Sequence, residues 1–389
     1  MRKAIFKHEI HYYFERYSLE EVIRHNVINA LFENPVNTSK QYLLNKKIKN
    51  VEDIGALIEA IVDDDSLIGD VKTLFLIDDD LELPSELREQ LMRKEKLAVF
   101  VGSGISKLLG LPLWDELAVA GIKYLYTSRL MSFDEHEKIL RESISPKQKL
   151  SIFHNILPKG LEGDFYEKCF TPSKDLLERN PYDLLVKLPF PKFTLNLDEE
   201  FWNALVRLRK ESKETKNGET KIISGETDVK HIFTDFSKDI ELNENTIYQV
   251  HGIYKNLKNY SIITMTDYLV YYYEDKNTGL REFLRRVFNE YAVIFLGVGL
   301  EEFELLQYLF KSRKKHHVLL STYINDTNLL RFKKEYFKKA LGIDAHGYYL
   351  DFNGYDRLYD VVSSWVSEID REINGQFYDK TGEFDDIEL

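Results

Sequence analysis

The sequence predicts an α/β fold: a Rossmann-like doubly wound parallel sheet with a helical insert and a helical N-terminal extension. Three observations carry that prediction. Short apolar runs suited to buried parallel strands end near residues 101, 194, 250 and 296. Amphipathic stretches with apolar residues three to four apart separate them. Each run is then followed by glycine or polar residues, Gly102 and Gly104, Asn196 and Asp198, His251 and Gly252, Gly297 and Gly299. The carboxyl ends of the strands are the edge at which open α/β sheets collect ligands.

Residues 1–92 read as the helical extension. Residues 19–32 are helically periodic, with Ser18 placed as a cap and Glu21 as its capping-box partner. The pattern returns over 51–62 and ends at Asp63-Asp64-Asp65. Asp78-Asp79-Asp80 and Pro84 punctuate the chain before a helix over 85–94 that feeds the first strand. The extension reads equally as an oligomerisation or docking element and as a cap on the main core.

The main domain spans 93–374. Between its first two strands, residues 114–188 are almost wholly helical, with segments at 114–126, 133–140, 146–156 and 175–188, the last interrupted at Pro181. After His251 the sequence suggests a strand at 260–264 and helices at 267–273 and 280–291. Segments at 301–310, 317–322, 328–337 and 347–352 continue the alternation, and a helix over 355–373 closes the domain. Residues 375–389 are a polar, acidic tail.

The strand that ends at Val101 enters Gly102-Ser103-Gly104-Ile105-Ser106 and a helix start, a pattern that brings backbone N–H groups close to a phosphate or pyrophosphate. By itself Gly-x-Gly also fits a tight βα turn with no ligand. The third glycine of Gly-x-Gly-x-x-Gly is Lys107 here, and no Gly-x-x-x-x-Gly-Lys-Ser/Thr occurs. The acidic residue that a dehydrogenase carries about 20 positions on is not cleanly placed, because Asp115 comes too early. The three later segments, arriving at the same sheet edge, make a coherent site.

In this order the segments resemble the sirtuin-like NAD-binding domain over roughly residues 93–370. Gly102-Ser103-Gly104-Ile105-Ser106 is similar to the family's Gly-Ala-Gly-Ile-Ser loop. Gly110-Leu111-Pro112-Leu113-Trp114 is similar to the Gly-hydrophobic-Pro-x-Trp form of the bacterial, defence-associated branch, where protein-deacetylating sirtuins carry Pro-Asp-Phe-Arg. Thr194-Leu195-Asn196-Leu197-Asp198 resembles Thr-x-Asn-x-Asp, and His251-Gly252 resembles the catalytic His-Gly. Gly297-Val298-Gly299 is similar to the late loop around the adenosine ribose, with Gly299 in the place of the usual Ser. Glu302 stands where the bacterial branch often has Asp.

The resemblance implies NAD⁺ as substrate, split to nicotinamide and ADP-ribose. Asn196 would position the ribose and the attacking water, and His251, with a pKa near its ordinary ~6.5, would bind ribose hydroxyls and act as base. Gly102, Ser103, Gly104, Ile105 and Ser106 would hold the phosphates, Asp198 the nicotinamide carboxamide, and Gly297, Val298 and Gly299 the adenosine side. Asn196 and Asp198 also read as a helix N-cap pair, and His251 as a residue satisfying a turn. In the bacterial branch the activity serves antiphage defence by NAD⁺ depletion, which implies a homo-oligomer and a HerA-type hexameric ATPase partner. The alternatives are an NAD-dependent protein deacylase or ADP-ribosyltransferase, and a non-catalytic NAD or ADP-ribose-binding regulatory subunit.

Composition bounds these readings. Cys169 is the single cysteine, so the four-cysteine zinc module of deacetylating sirtuins cannot form; no zinc or other metal is expected. A formal net charge of −12, from 53 basic and 65 acidic residues, repels phosphate backbones and argues against direct nucleic-acid binding. No apolar run approaches the ~18 residues of a membrane span, and Met1 to His8 lacks a secretory apolar core. The expected location is the cytoplasm, away from membranes.

Overall fold

The computed structural model describes residues 81–214, 230–274, 278–300, 303–310, 312–322, 327–350 and 355–380. The helices expected over 19–32 and 51–62, Glu302, and the end of the expected tail lie outside the described residues. Strands β1 (Leu97–Val101), β2 (Lys192–Thr194), β3 (Lys230–Ile232), β4 (Thr246–Gln249), β5 (Ala292–Leu296), β6 (His316–Thr322) and β7 (Ile343–Tyr349) form one sheet in the order β3-β4-β2-β1-β5-β6-β7. The pairs β1–β2, β1–β5, β2–β4, β3–β4 and β5–β6 are all parallel. Without the edge strand β3, the order is the 3-2-1-4-5-6 of doubly wound dinucleotide-binding sheets. Connections leave β1 toward β2 and β5 toward β6, so the topological switch point lies between β1 and β5.

Side-chain alternation explains why these strands hold. Register places Phe100 beside Phe193 and Phe295, and Phe193 beside Tyr248, so their rings share one face of the sheet. Phe100 stacks on Phe193 at 5.9 Å and Phe193 on Tyr248 at 4.9 Å, beneath Phe283 and Phe288. The latter two belong to the helix Thr278–Glu290. β2 is short, and its first residue is a buried lysine. Lys192 Nζ donates to the carbonyls of Leu188, Phe190 and Glu244 at 2.8, 2.9 and 2.8 Å, which ties the entry of β2 to the loop before β4.

In chain order the helices are α1 (Ser85–Met92), α2 (Ser103–Lys107), α3 (Trp114–Thr127), α4 (Phe133–Arg141), α5 (Pro146–Ile156), α6 (Glu162–Cys169), α7 (Pro181–Leu185), α8 (Glu200–Glu214), α9 (Met265–Tyr272), α10 (Thr278–Glu290), α11 (Phe303–Leu309), α12 (Thr327–Tyr336) and α13 (Asp356–Lys380). In the insert, α3 to α7, residues Ile122, Leu125, Leu150, Phe153, Phe165 and Tyr166 of α3, α5 and α6 pack together in a core that also takes in Leu197, Tyr254 and Ile263. Capping boxes at Ser132, Ser145 and Thr264 start α4, α5 and α9. A second compact unit comprises Ser321–Glu335 and Gly347–Val361. Within it Leu330 lies so close to Gly347 that a Cβ there would meet its Cδ2 at 2.4 Å.

Several expectations need correction. Residues 260–264 are not a strand; only an isolated bridge joins Ser261 to Gly252, because Gly252 at φ +82° turns the chain sharply. Residues 175–188 divide into a 3₁₀ turn, Lys174–Arg179, and α7, since Pro181 starts a new helix at its N1 position. β7 begins at Ile343, before the expected residue 347, with the polar Asp344 held by Lys315 at 2.8 Å. Helix α13 runs on to Lys380 and takes in the start of the expected tail. Strand β3 was not expected, and α6 falls within the helical stretch 114–188 but outside its four expected segments.

Candidate active site

At the switch point two glycine loops close on each other. Gly102 N–H donates to Leu296 O at 2.9 Å, and Gly104 N–H to Gly297 O at 3.0 Å. Gly297 sits at φ +64°, and a Cβ on it would fall 2.5 Å from Ile105 N; a Cβ on Gly102 would fall 2.5 Å from Gly297 O. These glycines are therefore required by backbone-on-backbone contact between the βα loops. The amides of Gly102, Gly104 and Ile105 are bonded to Leu296, Gly297 and Gly102 carbonyls. α2 has only 5 residues, so its dipole contribution is small. Val298 is buried against Gly102, whereas Gly299 is exposed.

Beyond β2 the chain builds a buried polar cluster. Thr194 Oγ1 donates to Val101 O at 2.9 Å and accepts from Asn196 N–H at 3.0 Å, fixing the turn into Asn196. Asn196 Nδ2 donates to Ser106 Oγ at 2.8 Å and to Tyr182 Oη at 3.0 Å. Ser106 Oγ donates to Asp198 Oδ2 at 2.7 Å and lies 2.7 Å from Tyr182 Oη. Asp198 Oδ1 accepts from Glu200 N–H at 3.1 Å, which closes the turn that leads into α8. Asn196 Oδ1 is buried with no partner. Burial, the largest influence, raises the Asp198 carboxyl from its ordinary value to about 6, against the Ser106 hydrogen bond.

Gln249, the last residue of β4, clamps this turn from below. Its Nε2 donates to Asn196 O at 2.5 Å and to Asp198 O at 2.6 Å, and its Oε1 lies 2.8 Å from His231 Nε2. Because the amide nitrogen must face two carbonyls, the oxygen must face His231, which therefore carries its proton on Nε2. The His231 ring stacks on Trp202 of α8 at 4.9 Å.

His251 is fully buried. Its Nε2 shares a 3.0 Å hydrogen bond with Tyr272 Oη, and Nδ1 has no partner. Trp114 packs edge-on to the ring at 6.1 Å and Tyr268 at 5.3 Å. Lys147, bound to Glu304 at 3.0 Å, sits 3.6 Å above the Tyr268 ring. Burial first, and the Lys147 charge second, push the His251 pKa down to about 3. This corrects the expected value near 6.5: in this arrangement His251 is a neutral hydrogen-bonding group with low basicity.

Trp114 joins the two halves of the site. With Ser103, Pro112, Leu117, Phe170, Asn196, Leu197 and Asp198 it lines a cavity of only about 10 Å³, room for about one water molecule. Asn196, Asp198 and Ser106 thus come together, and Trp114 connects them to His251. Tyr182, Gln249, Tyr272 and Lys147 were not anticipated. Only Gln249 left a signal, a polar residue two before His251 at the end of an otherwise apolar run.

The strand order and its switch point define a Rossmann-like α/β fold. Residues 192–346 match a SIR2-like domain, a class associated with NAD; the match contains Asn196, Asp198, His251 and Gly297, while the Gly102–Ser106 loop lies upstream. No curated protein matches the chain. Among the described residues no group of three or more His, Cys, Asp or Glu is placed to hold a metal ion, and no helix is long and apolar enough to cross a membrane.

Proposed function

We propose that the chain is an NAD⁺ glycohydrolase that releases nicotinamide and ADP-ribose. The observation that carries this reading is Asn196 Oδ1, a buried acceptor without a donor beside the wall formed by Ser103, Trp114 and Asp198. Leaving such a group unpaired costs about 1–3 kcal/mol, and a ribose hydroxyl or a water supplies the missing donor. His251 Nδ1 is a second buried, unpartnered atom. With Nε2–H donating to Tyr272, it accepts from a ribose hydroxyl.

The chemistry suits such a site. The C1′–N bond breaks with its electron pair going to the pyridinium nitrogen, so nicotinamide departs neutral and no general acid is needed. Water held by Asn196 forms the new C1′–O bond. Once bonded to C1′ that oxygen is a strongly acidic oxonium, so even the weakly basic His251 can take its proton. Asp198 faces the carboxamide, and the Ser103 amide a phosphate oxygen. Trp114 and Phe170 must withdraw to admit the nicotinamide ribose, which suits an enzyme silent until triggered. We place that trigger in a homo-oligomer working with a HerA-type ATPase, and the biological role in antiphage NAD⁺ depletion in the bacterial cytoplasm.

The test is nicotinamide release from NAD⁺ by the purified protein, with and without the product of the neighbouring gene, beside Asn196→Ala and His251→Ala. Turnover that both substitutions abolish is the expected result. NAD⁺ binding without turnover under every condition would leave a regulatory NAD-binding subunit instead, and release that depends on an acyl-lysine peptide would favour a deacylase.

A further inference from the structure

We infer that Tyr182 is a positioning residue of this site: its hydroxyl, with that of Ser106, engages both side-chain N–H groups of Asn196 and so presents Asn196 Oδ1 alone to the reacting ribose. The consequence for turnover rests on the NAD⁺ glycohydrolase reading; the orientation itself rests on geometry.

The direction of every hydrogen bond in the cluster follows from one acceptor. The Asp198 carboxylate can only accept, so the Ser106 proton is committed to Oδ2 at 2.7 Å. Ser106 Oγ can then only accept from its other neighbours, Asn196 at 2.8 Å and Tyr182 at 2.7 Å. Tyr182 accordingly spends its proton on Ser106, and its oxygen accepts from Asn196 at 3.0 Å. Turning the Asn196 amide over would set its oxygen against two oxygens whose protons are already used. The order Asn196 → Tyr182 → Ser106 → Asp198 is the one that satisfies every donor.

Tyr182 is built to hold this position. Pro181 starts α7, and Asn180 Oδ1 accepts from Tyr182 N–H at 2.9 Å. The ring is fully buried and packs on Phe201 at 5.0 Å. Burial keeps the phenol well above its ordinary value, so Tyr182 remains a donor throughout the working range.

Tyr182→Phe keeps the ring and its packing and deletes only the hydroxyl. We expect kcat for nicotinamide release to fall about tenfold to a hundredfold, with KM within about threefold of wild type, as for a lost buried hydrogen bond felt mainly in the transition state. Ser106→Ala should behave alike, and the double variant should cost little more than the worse single one. A residue that only packs would leave Tyr182→Phe at wild-type kcat, and that result overturns the inference. A readout independent of turnover uses protein labelled with ¹⁵N-asparagine. The Asn196 side-chain protons should exchange slowly with solvent in wild type and faster in Tyr182→Phe and Ser106→Ala. Equal exchange in all three overturns the orientation. Slow exchange in a wild type that never turns over NAD⁺ leaves the orientation standing and removes the glycohydrolase reading.

Discussion

Asp198 should cost the protein stability, and replacing it should return that stability while ending activity. The carboxyl is buried, and its pKa in the fold is about 6 against 3.8 for the free side chain. The unfolded chain therefore gives up this proton about a hundredfold more readily. By linkage, each tenfold is worth about 1.4 kcal/mol, so the ionised group opposes folding by about 3 kcal/mol once the pH exceeds 6. The sign follows from the raised pKa. The stabilising influence of the proton is complete below pH ~3.8 and is lost as the pH rises through ~6. Asp198→Asn removes the charge with little change of shape. Its amide must still accept from Glu200 N–H, so its nitrogen faces Ser106 and reverses that hydroxyl, at a cost of about 1 kcal/mol. The net expectation is a gain of about 2 kcal/mol at pH 8. Urea unfolding of both proteins at pH 4, 6 and 8 measures it. The gain should shrink steadily toward pH 4, and nicotinamide release should be lost. A variant less stable than wild type at pH 8, or a difference that does not change with pH, would refute the reasoning.

Three further outcomes follow from the same geometry. Nicotinamide release should decline as the pH falls through about 6, because a protonated Asp198 frees the Ser106 proton and lets the Asn196 amide turn over; a flat profile from pH 5 to 8 would contradict this. Gly297→Ala puts a Cβ 2.5 Å from Ile105 N at a φ of +64° and should lower unfolding stability by about 2 kcal/mol or more, measured by urea titration. Gln249→Leu strips the donor from the carbonyls of Asn196 and Asp198, at about 2 kcal/mol. Gln249→Glu should be worse, since it sets a carboxylate oxygen against the same two carbonyls, and thermal melts of both variants compare them.

The sequence carried the fold further than the site. Buried strands such as Leu97–Val101 and Ala292–Leu296 are continuous apolar runs, and helix starts at Ser145-Pro146 or Ser132 announce themselves through caps. Strand β3 escaped notice because Lys230–Ile232 is a short, half-exposed edge strand in a charged region. Residues 260–264 looked like a strand because Ile262 and Ile263 are apolar, yet they are buried as a loop beneath Gly252. For the site, Asn196, Asp198 and Ser106 were legible as polar residues at the right edge. Tyr182 was not: it lies in the helical insert, where nothing local distinguishes it from a core aromatic, and only the tertiary fold brings it to Asn196. Nor could composition show that the environment of His251 would depress its basicity so far, because that depends on burial and on Lys147 arriving from α5.

The most direct test of the central claim is a structure of the Asn196→Ala protein with NAD⁺, since loss of turnover should trap the substrate. The nicotinamide ribose should lie between position 196, Asp198 and His251, with Trp114 and Phe170 displaced from the cavity they now fill. NAD⁺ bound instead at the opposite edge of the sheet, in the 780 Å³ cavity lined by Lys96, Phe190 and Tyr291, would contradict the account.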